Sequence, residues 1–267
     1  MTAGAGALEV YVPGRSWLHQ LDPRVKLALV ALGSVVLFFW LSIPLLVGAI
    51  VLIHVVLVTA GYPWRRLLGV WRAIALLLVL IVLIWPVFDR AGETIVEIGP
   101  LDITDEGILR GLANAARIAA INFIFILWIG TTDARELVRG FVRLGLPFRW
   151  GMALTIGLRF IPTFAGTWGM VSDAQQARGL VLRGWWLRRA RGMLPILVAA
   201  LISALRTSEQ LAMTLESRGF GASRQRTVLR DIHMRPMDWL VLSLTVLGTT
   251  LLLWLTFANG FGRDLLL

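Results

Sequence analysis

The chain has no cysteine, three histidines and, among 26 basic residues, a single lysine, Lys26. Without cysteine there is no disulfide framework, no thiol nucleophile and no thiolate metal site. Three scattered histidines, His19, His54 and His233, argue against a histidine-rich metal site. Charge is also scarce. Asp, Glu, Lys and Arg make up 16% of the 267 residues, where a soluble domain carries about 25%. No stretch reads GxxxxGK[ST], GxSxG or HExxH. The chain is therefore expected to hold no nucleotide site, no catalytic residue and no metal site of its own. The first 20 residues lack a basic region followed by an apolar run, so no cleavable signal is expected.

Apolar residues are abundant instead. They make up 57% of the chain, and the mean hydropathy is +0.77. That is too much for one soluble core and points to a polytopic membrane protein. A spanning helix needs about 20 mostly apolar residues. Five stretches qualify, at about 25–41, 43–60, 71–88, 112–130 and 238–258. Ser42 and Pro44 form the turn between the first two, and Asp22-Pro23 reads as the start of the first helix. Trp40, Trp85, Trp128, Trp239 and Trp254 fall near segment ends, where aromatic belts sit.

The charges set an expected orientation. Arg15, Arg24 and Lys26 precede the first segment, and Arg65, Arg66 and Arg72 lie in the loop 61–72 before the third. The loop before the fourth is acidic, with Asp89, Glu93, Glu97, Asp102, Asp105 and Glu106 against Arg90 and Arg110. Residues 131–236 carry 16 arginines and six acids. By the positive-inside rule the N-terminus and 131–236 are cytoplasmic and the acidic loop is outside. The expected division is 1–130 with four membrane helices, 131–236 as a cytoplasmic or interfacial region, and 237–267 with the last membrane helix. Residues 151–171 and 194–205 are also apolar. The second is short for a crossing, and a crossing pair would put Arg183, Arg188, Arg189 and Arg191 outside. Both are read as parts of long helices at the inner membrane face.

Two helices are expected in that region. Pro147 precedes one at about 150–178, with Pro162 inside it, and Pro195 starts the other at about 195–218. They end alike, in Ala177-Arg178-Gly179 and Ser217-Arg218-Gly219. Glycine is usual just past a helix end, and a cation in the last turn complements the dipole. One such pair would mean no more than that. Two copies, on two helices of a basic region, suggest a two-point dock in which each guanidinium offers its fork of five donors. On the second helix Leu201, Ala204, Leu205, Ser208, Leu211, Ala212 and Leu215 recur at helical spacing, opposite Ser203, Arg206, Thr207, Gln210 and Ser217.

At these residues the chain resembles the transmembrane T component (EcfT/CbiQ-like) of energy-coupling factor (ECF) transporters, the vitamin and trace-metal importers of prokaryotes. YVPGRSWLHQLDPRVK (11–26) is similar to the family's N-terminal signature, with Gln20 a mild departure. LGLPFRWGMALTIGLRFIPTF (144–164) resembles the stretch leading into the first coupling helix. AQQARGL (174–180) and LESRGFG (215–221) resemble the two X-Arg-X motifs, and Arg224 and Arg226-Thr227 fit the basic tail. The resemblance implies an all-α polytopic fold of about five transmembrane helices plus two long cytoplasmic coupling helices. It implies a non-catalytic scaffold in a prokaryotic plasma membrane, between two cytoplasmic ABC ATPases and a small substrate-binding S component. ATP and Mg would be bound by the ATPases, and this chain would hold no cofactor. Ala177, Arg178, Gly179, Ser217, Arg218 and Gly219 would dock into the ATPases. Leu201, Leu205 and Leu211 would meet the S component or the membrane helices.

Other residues read as structural. His54 has no second ligand near it in sequence, Arg117 is close enough to the outer end of its segment to snorkel, and the acidic loop reads as solvated. Arg159 and Pro162 are expected to shape the coupling region. The arginines lie beside membrane-level helices, where anionic lipid attracts them, so membrane lipid and not nucleic acid is the expected partner. The rivals are a pore-forming permease of an ordinary ABC importer and an integral membrane enzyme acting on lipid.

Overall fold

A computed structural model of the chain describes residues 11–14, 16–89, 94–98, 101–180, 185–220 and 234–265. Arg183, His233, Arg224 and Arg226-Thr227 lie outside the described residues, as do the side chains of Arg188 and Arg189. The elements in chain order are α1 (Trp17–Gln20), α2 (Pro23–Phe39), α3 (Ile43–Thr59), α4 (Trp64–Phe88), β1 (Thr94–Ile98), β2 (Leu101–Thr104), α5 (Asp105–Thr131), α6 (Ala134–Arg143), α7 (Phe148–Ala177), α8 (Trp186–Ser217) and α9 (Pro236–Asn259). The protein is an all-α polytopic membrane protein, with one small antiparallel hairpin, β1–β2, between α4 and α5.

The five expected spans correspond to α2, α3, α4, α5 and α9. Of these, α4, α5 and α9 are long and apolar enough to cross a bilayer. α2 and α3 have 17 residues each, about 26 Å at 1.5 Å per residue, against a hydrocarbon core of about 30 Å. α4 begins at Trp64, so Arg65, Arg66 and Arg72 ride on its first turns and not in a loop. α5 begins at Asp105, where Thr104 caps the backbone of Gly107 and Asp105 and Glu106 complement the dipole. Both helices run past the apolar core because polar residues at these ends suit the headgroup layer.

The chain divides into two compact units, 1–145 with 232–267, and 146–231. In the first, α5 packs against α2, α3 and α4, and α9 packs against α2. Small residues let α5 approach its neighbours closely. A Cβ on Gly111 would sit 3.2 Å from Cβ of Trp85, and one on Gly130 would sit 2.7 Å from the ring of Tyr62. Phe123 is fully buried beneath His54 and Trp71, its ring centroid 4.3 and 4.9 Å from theirs. The His54 Nδ1–H donates to the Ile50 carbonyl at 2.8 Å, and its Nε2 accepts from the Trp71 indole at 3.1 Å. Both ring nitrogens are thus used inside the fold. Arg117 does not snorkel: Nε and a terminal nitrogen donate to the Trp40 carbonyl at 3.0 and 2.7 Å, satisfying the end of α2.

The N-terminal signature folds into a polar knot. Asp22 caps α2 at the Arg24 backbone and pairs with the Arg24 guanidinium at 3.1 Å. Asp238, at the start of α9, accepts from the Asp22 backbone at 2.9 Å and the Arg235 backbone at 2.8 Å. His19 Nε2–H donates to the Val12 carbonyl at 2.9 Å, leaving Nδ1 to accept from Ser16 at 2.7 Å. The Lys26 ammonium donates to the Thr131 carbonyl at 2.9 Å. Burial first, then Glu136 and Asp133 of the segment leading through α6, hold the Tyr11 phenol above its ordinary pKa. The knot therefore ties the starts of α2 and α9 to the end of α5.

Candidate functional site: the α7–α8 helical pair

The second unit consists of α7 and α8, of 30 and 32 residues. Pro147 caps α7, and the helix runs on through Pro162. α8 begins at Trp186, so Pro195 is an interior residue and not the first of the helix. The run Trp186-Leu-Arg-Arg-Ala-Arg-Gly-Met-Leu is rich in good helix formers. It carries the helix past a proline whose missing N–H costs one bond to Arg191. With this extension Ala190–Ser217 becomes long and apolar enough to cross a membrane, which 194–205 alone is not, whereas α7 is absent from the helices with that character.

α7 and α8 pack antiparallel. The Phe148 ring at the start of α7 lies 6.2 Å from the Phe220 ring just past α8. A cavity of about 250 Å³ at mid-length is lined by Ile156, Phe160 and Thr167 of α7 and by Leu211, Thr207 and Ser203 of α8. Residue numbers rise along one helix as they fall along the other. The two Arg-Gly ends consequently sit at opposite ends of the pair. The separation is on the order of 40 Å along a helix of this length.

The two ends are the same structure twice. Arg178 and Arg218 each take the C-cap position, with φ near −85° (−83° and −88°). Gly179 and Gly219 follow in the left-handed region, at φ +90° and +69°. The Gly179 and Leu180 N–H groups donate to the Gln176 and Gln175 carbonyls at 3.0 and 3.1 Å. The Gly219 and Phe220 N–H groups donate to Glu216 and Leu215, each at 2.9 Å. Both are Schellman caps, which require glycine or asparagine at that φ. The cap accounts for the glycines but makes no use of the guanidinium groups. Arg178 and Arg218 are exposed, and among the described residues neither guanidinium has a hydrogen bond or ion pair. Ala177 and Ser217 are exposed beside them, and the Ser217 hydroxyl is turned back onto the Thr214 carbonyl at 3.0 Å.

The structure separates Leu201 and Leu205 from Leu211 on the second helix. Leu201 and Leu205 are exposed, at 56% and 57%, whereas Leu211 lines the cavity against α7. The inward face of α8 is formed by small and hydroxylated residues, Ser203, Ala204, Thr207 and Ser208. The hydroxyls of Thr207 and Ser208 donate to carbonyls four residues back, at Ser203 and Ala204, so they need no polar partner across the pair. Arg159 is exposed on α7. The antiparallel pairing and the hydroxylated inner face are not visible in the helical periodicity, which ranks leucine as the buried residue. Among the described residues no cluster of three or more His, Asp or Glu could hold a metal.

Several apolar helices, a second unit of two long helices and a repeated arginine cap make up an all-α polytopic membrane protein. The chain belongs to the CbiQ family, described as cobalt transport protein and matched over residues 14–228, and with the relatives named next it is a T component of energy-coupling factor transporters. It is 33% identical over 258 residues to the energy-coupling factor transporter transmembrane protein EcfT of Listeria innocua serovar 6a, covering 92% of this chain and 96% of that one. The protein of the same name from Thermosediminibacter oceani is 33% identical over 243 residues, with 85% and 89% covered. That of Macrococcus caseolyticus is 29% identical over 252 residues, with 91% and 95% covered.

Proposed function

We propose that this T component is the mechanical scaffold of an ECF importer. The coupling region 131–236 takes up motion from two cytoplasmic ATPases and passes it to a membrane-embedded S component that binds a vitamin or trace metal. The ATPases bind ATP and Mg; this chain holds no cofactor. The observation that carries the reading is the pair of identical, unpartnered arginine caps at opposite ends of one antiparallel helix pair. A helix pair with one dock at each end can engage two ATPases at once. Closure of the ATPases then moves the docks toward each other and changes the crossing of α7 and α8. Glycine and alanine or serine beside each arginine let a partner groove approach the backbone closely.

Leu201 and Leu205 present an apolar, outward surface to the S component, with Leu211 beneath it at the cavity. The N-terminus and the helix pair lie on the cytoplasmic side, following the arginine bias. The arginines between the two helices, which a crossing pair would put outside, support an interfacial position. Charge reversal at one dock tests the reading. Arg218→Glu in the assembled transporter is expected to release one ATPase and abolish uptake. Intact assembly and uptake in that variant would refute the docking role.

A further inference from the structure

The start of α8 carries exposed aromatic and basic residues that neither the ATPase docks nor the S-component surface uses. Trp185 and Trp186 are 73% and 65% exposed, with their rings edge-on at 6.0 Å. Leu187 and Leu194 project outward from the next turns, and Arg191 is exposed between them. The stretch 174–208 holds six arginines and no acid. We propose that Trp185–Arg191 seats in the headgroup layer of an anionic phospholipid surface and anchors this end of α8 there.

Three arguments favour lipid over a protein partner. Tryptophan prefers the headgroup depth, where its ring is half in hydrocarbon and its N–H reaches water. A basic stretch without a single acid needs a partner that is negative throughout, as an anionic leaflet is. Each basic residue near such a surface contributes about 1 kcal/mol. The segment is also tethered through the chain to the apolar spans, so it meets lipid at high effective concentration. The anchor lies at the Arg178 end of the helix pair, away from Arg218.

The cysteine-free chain makes the test direct. Leu187→Cys introduces one thiol and leaves both tryptophans in place. A nitroxide is attached there before assembly with the partner subunits, and the complete transporter is reconstituted in vesicles. Collisions with oxygen and with a water-soluble nickel chelate report depth. In mixed phosphatidylglycerol–phosphatidylcholine vesicles, oxygen collisions are expected to exceed those with the chelate. With Arg191→Gln added, chelate access is expected to rise about fivefold, the factor for about 1 kcal/mol, and in pure phosphatidylcholine, which removes the attraction of every arginine of the segment, by more. Replacing both tryptophans by serine is expected to raise it further. Equal chelate access in the two vesicle types would overturn the proposal, as would a probe shielded from both reagents, which would mean a protein covers the segment. Neither outcome depends on what binds Arg178 or Arg218.

Discussion

The Lys26 ammonium lies 2.9 Å from the carbonyl oxygen of Thr131 and is 1% exposed. The only lysine of the chain is thus spent on the C-terminal end of α5, where unpaired carbonyls give the helix its negative pole. Lys26→Met keeps the length of the side chain but leaves that carbonyl without its donor. The variant is expected to lose about 1–3 kcal/mol of stability, read as a lower unfolding midpoint of the purified protein in detergent. An unchanged midpoint would contradict the role given to Lys26.

Asp238 joins the N-terminal knot to α9 through two backbone donors, at Asp22 and Arg235. Asp238→Ala orphans both and is expected to cost about 1–3 kcal/mol. Asp238→Asn retains one acceptor oxygen and is expected to fall between. Limited proteolysis of the purified protein gives the second readout, since release of α9 from α2 would open the knot. Equal behaviour of the alanine and asparagine variants would show that the two acceptor bonds are not what matters.

His54 tests the difference between a core histidine and a ligand. Its two nitrogens are occupied by Ile50 and Trp71. His54→Leu strands the Trp71 indole and is expected to lower stability by about 1–3 kcal/mol. The folded transporter is expected to keep its uptake rate. Loss of uptake at unchanged stability would assign His54 a transport role.

The two Schellman caps give a matched pair of backbone tests. A Cβ on Gly179 would meet no atom within 4 Å, so only its φ of +90° opposes a side chain. Gly179→Ala is expected to cost about 1 kcal/mol, and Gly179→Asn less, because asparagine tolerates the left-handed region. Chemical unfolding of the two variants checks the order. Equal stability of alanine and glycine would mean that the chain past Ala177 rearranges.

Much of this architecture is legible in sequence because it follows from local rules. The five apolar segments emerge as α2, α3, α4, α5 and α9, and Asp22-Pro23 starts α2 as expected. Arg-Gly marks both helix ends because glycine fits the left-handed cap at the least cost. What escaped depends on contacts distant in sequence. Asp22 and Lys26 look like ordinary cap and flank residues until Asp238 and Thr131 come beside them. Pro195 resembles a helix start until the helix-forming run from Trp186 is weighed against it. Ser203 and Thr207 are half-buried at the cavity against α7 while Leu201 and Leu205 stay exposed, an arrangement that no pattern within α8 encodes.

The central claim is that Arg178 and Arg218 hold the ATPases. The direct measurement is purification of the tagged protein from native membranes in mild detergent, with its partners identified by mass spectrometry. Wild type is compared with the double variant Arg178→Glu, Arg218→Glu. Wild type is expected to bring down ATPase subunits and a small membrane protein, and the double variant to lose the ATPases. Recovery of ATPases at the wild-type level by the double variant would contradict the account.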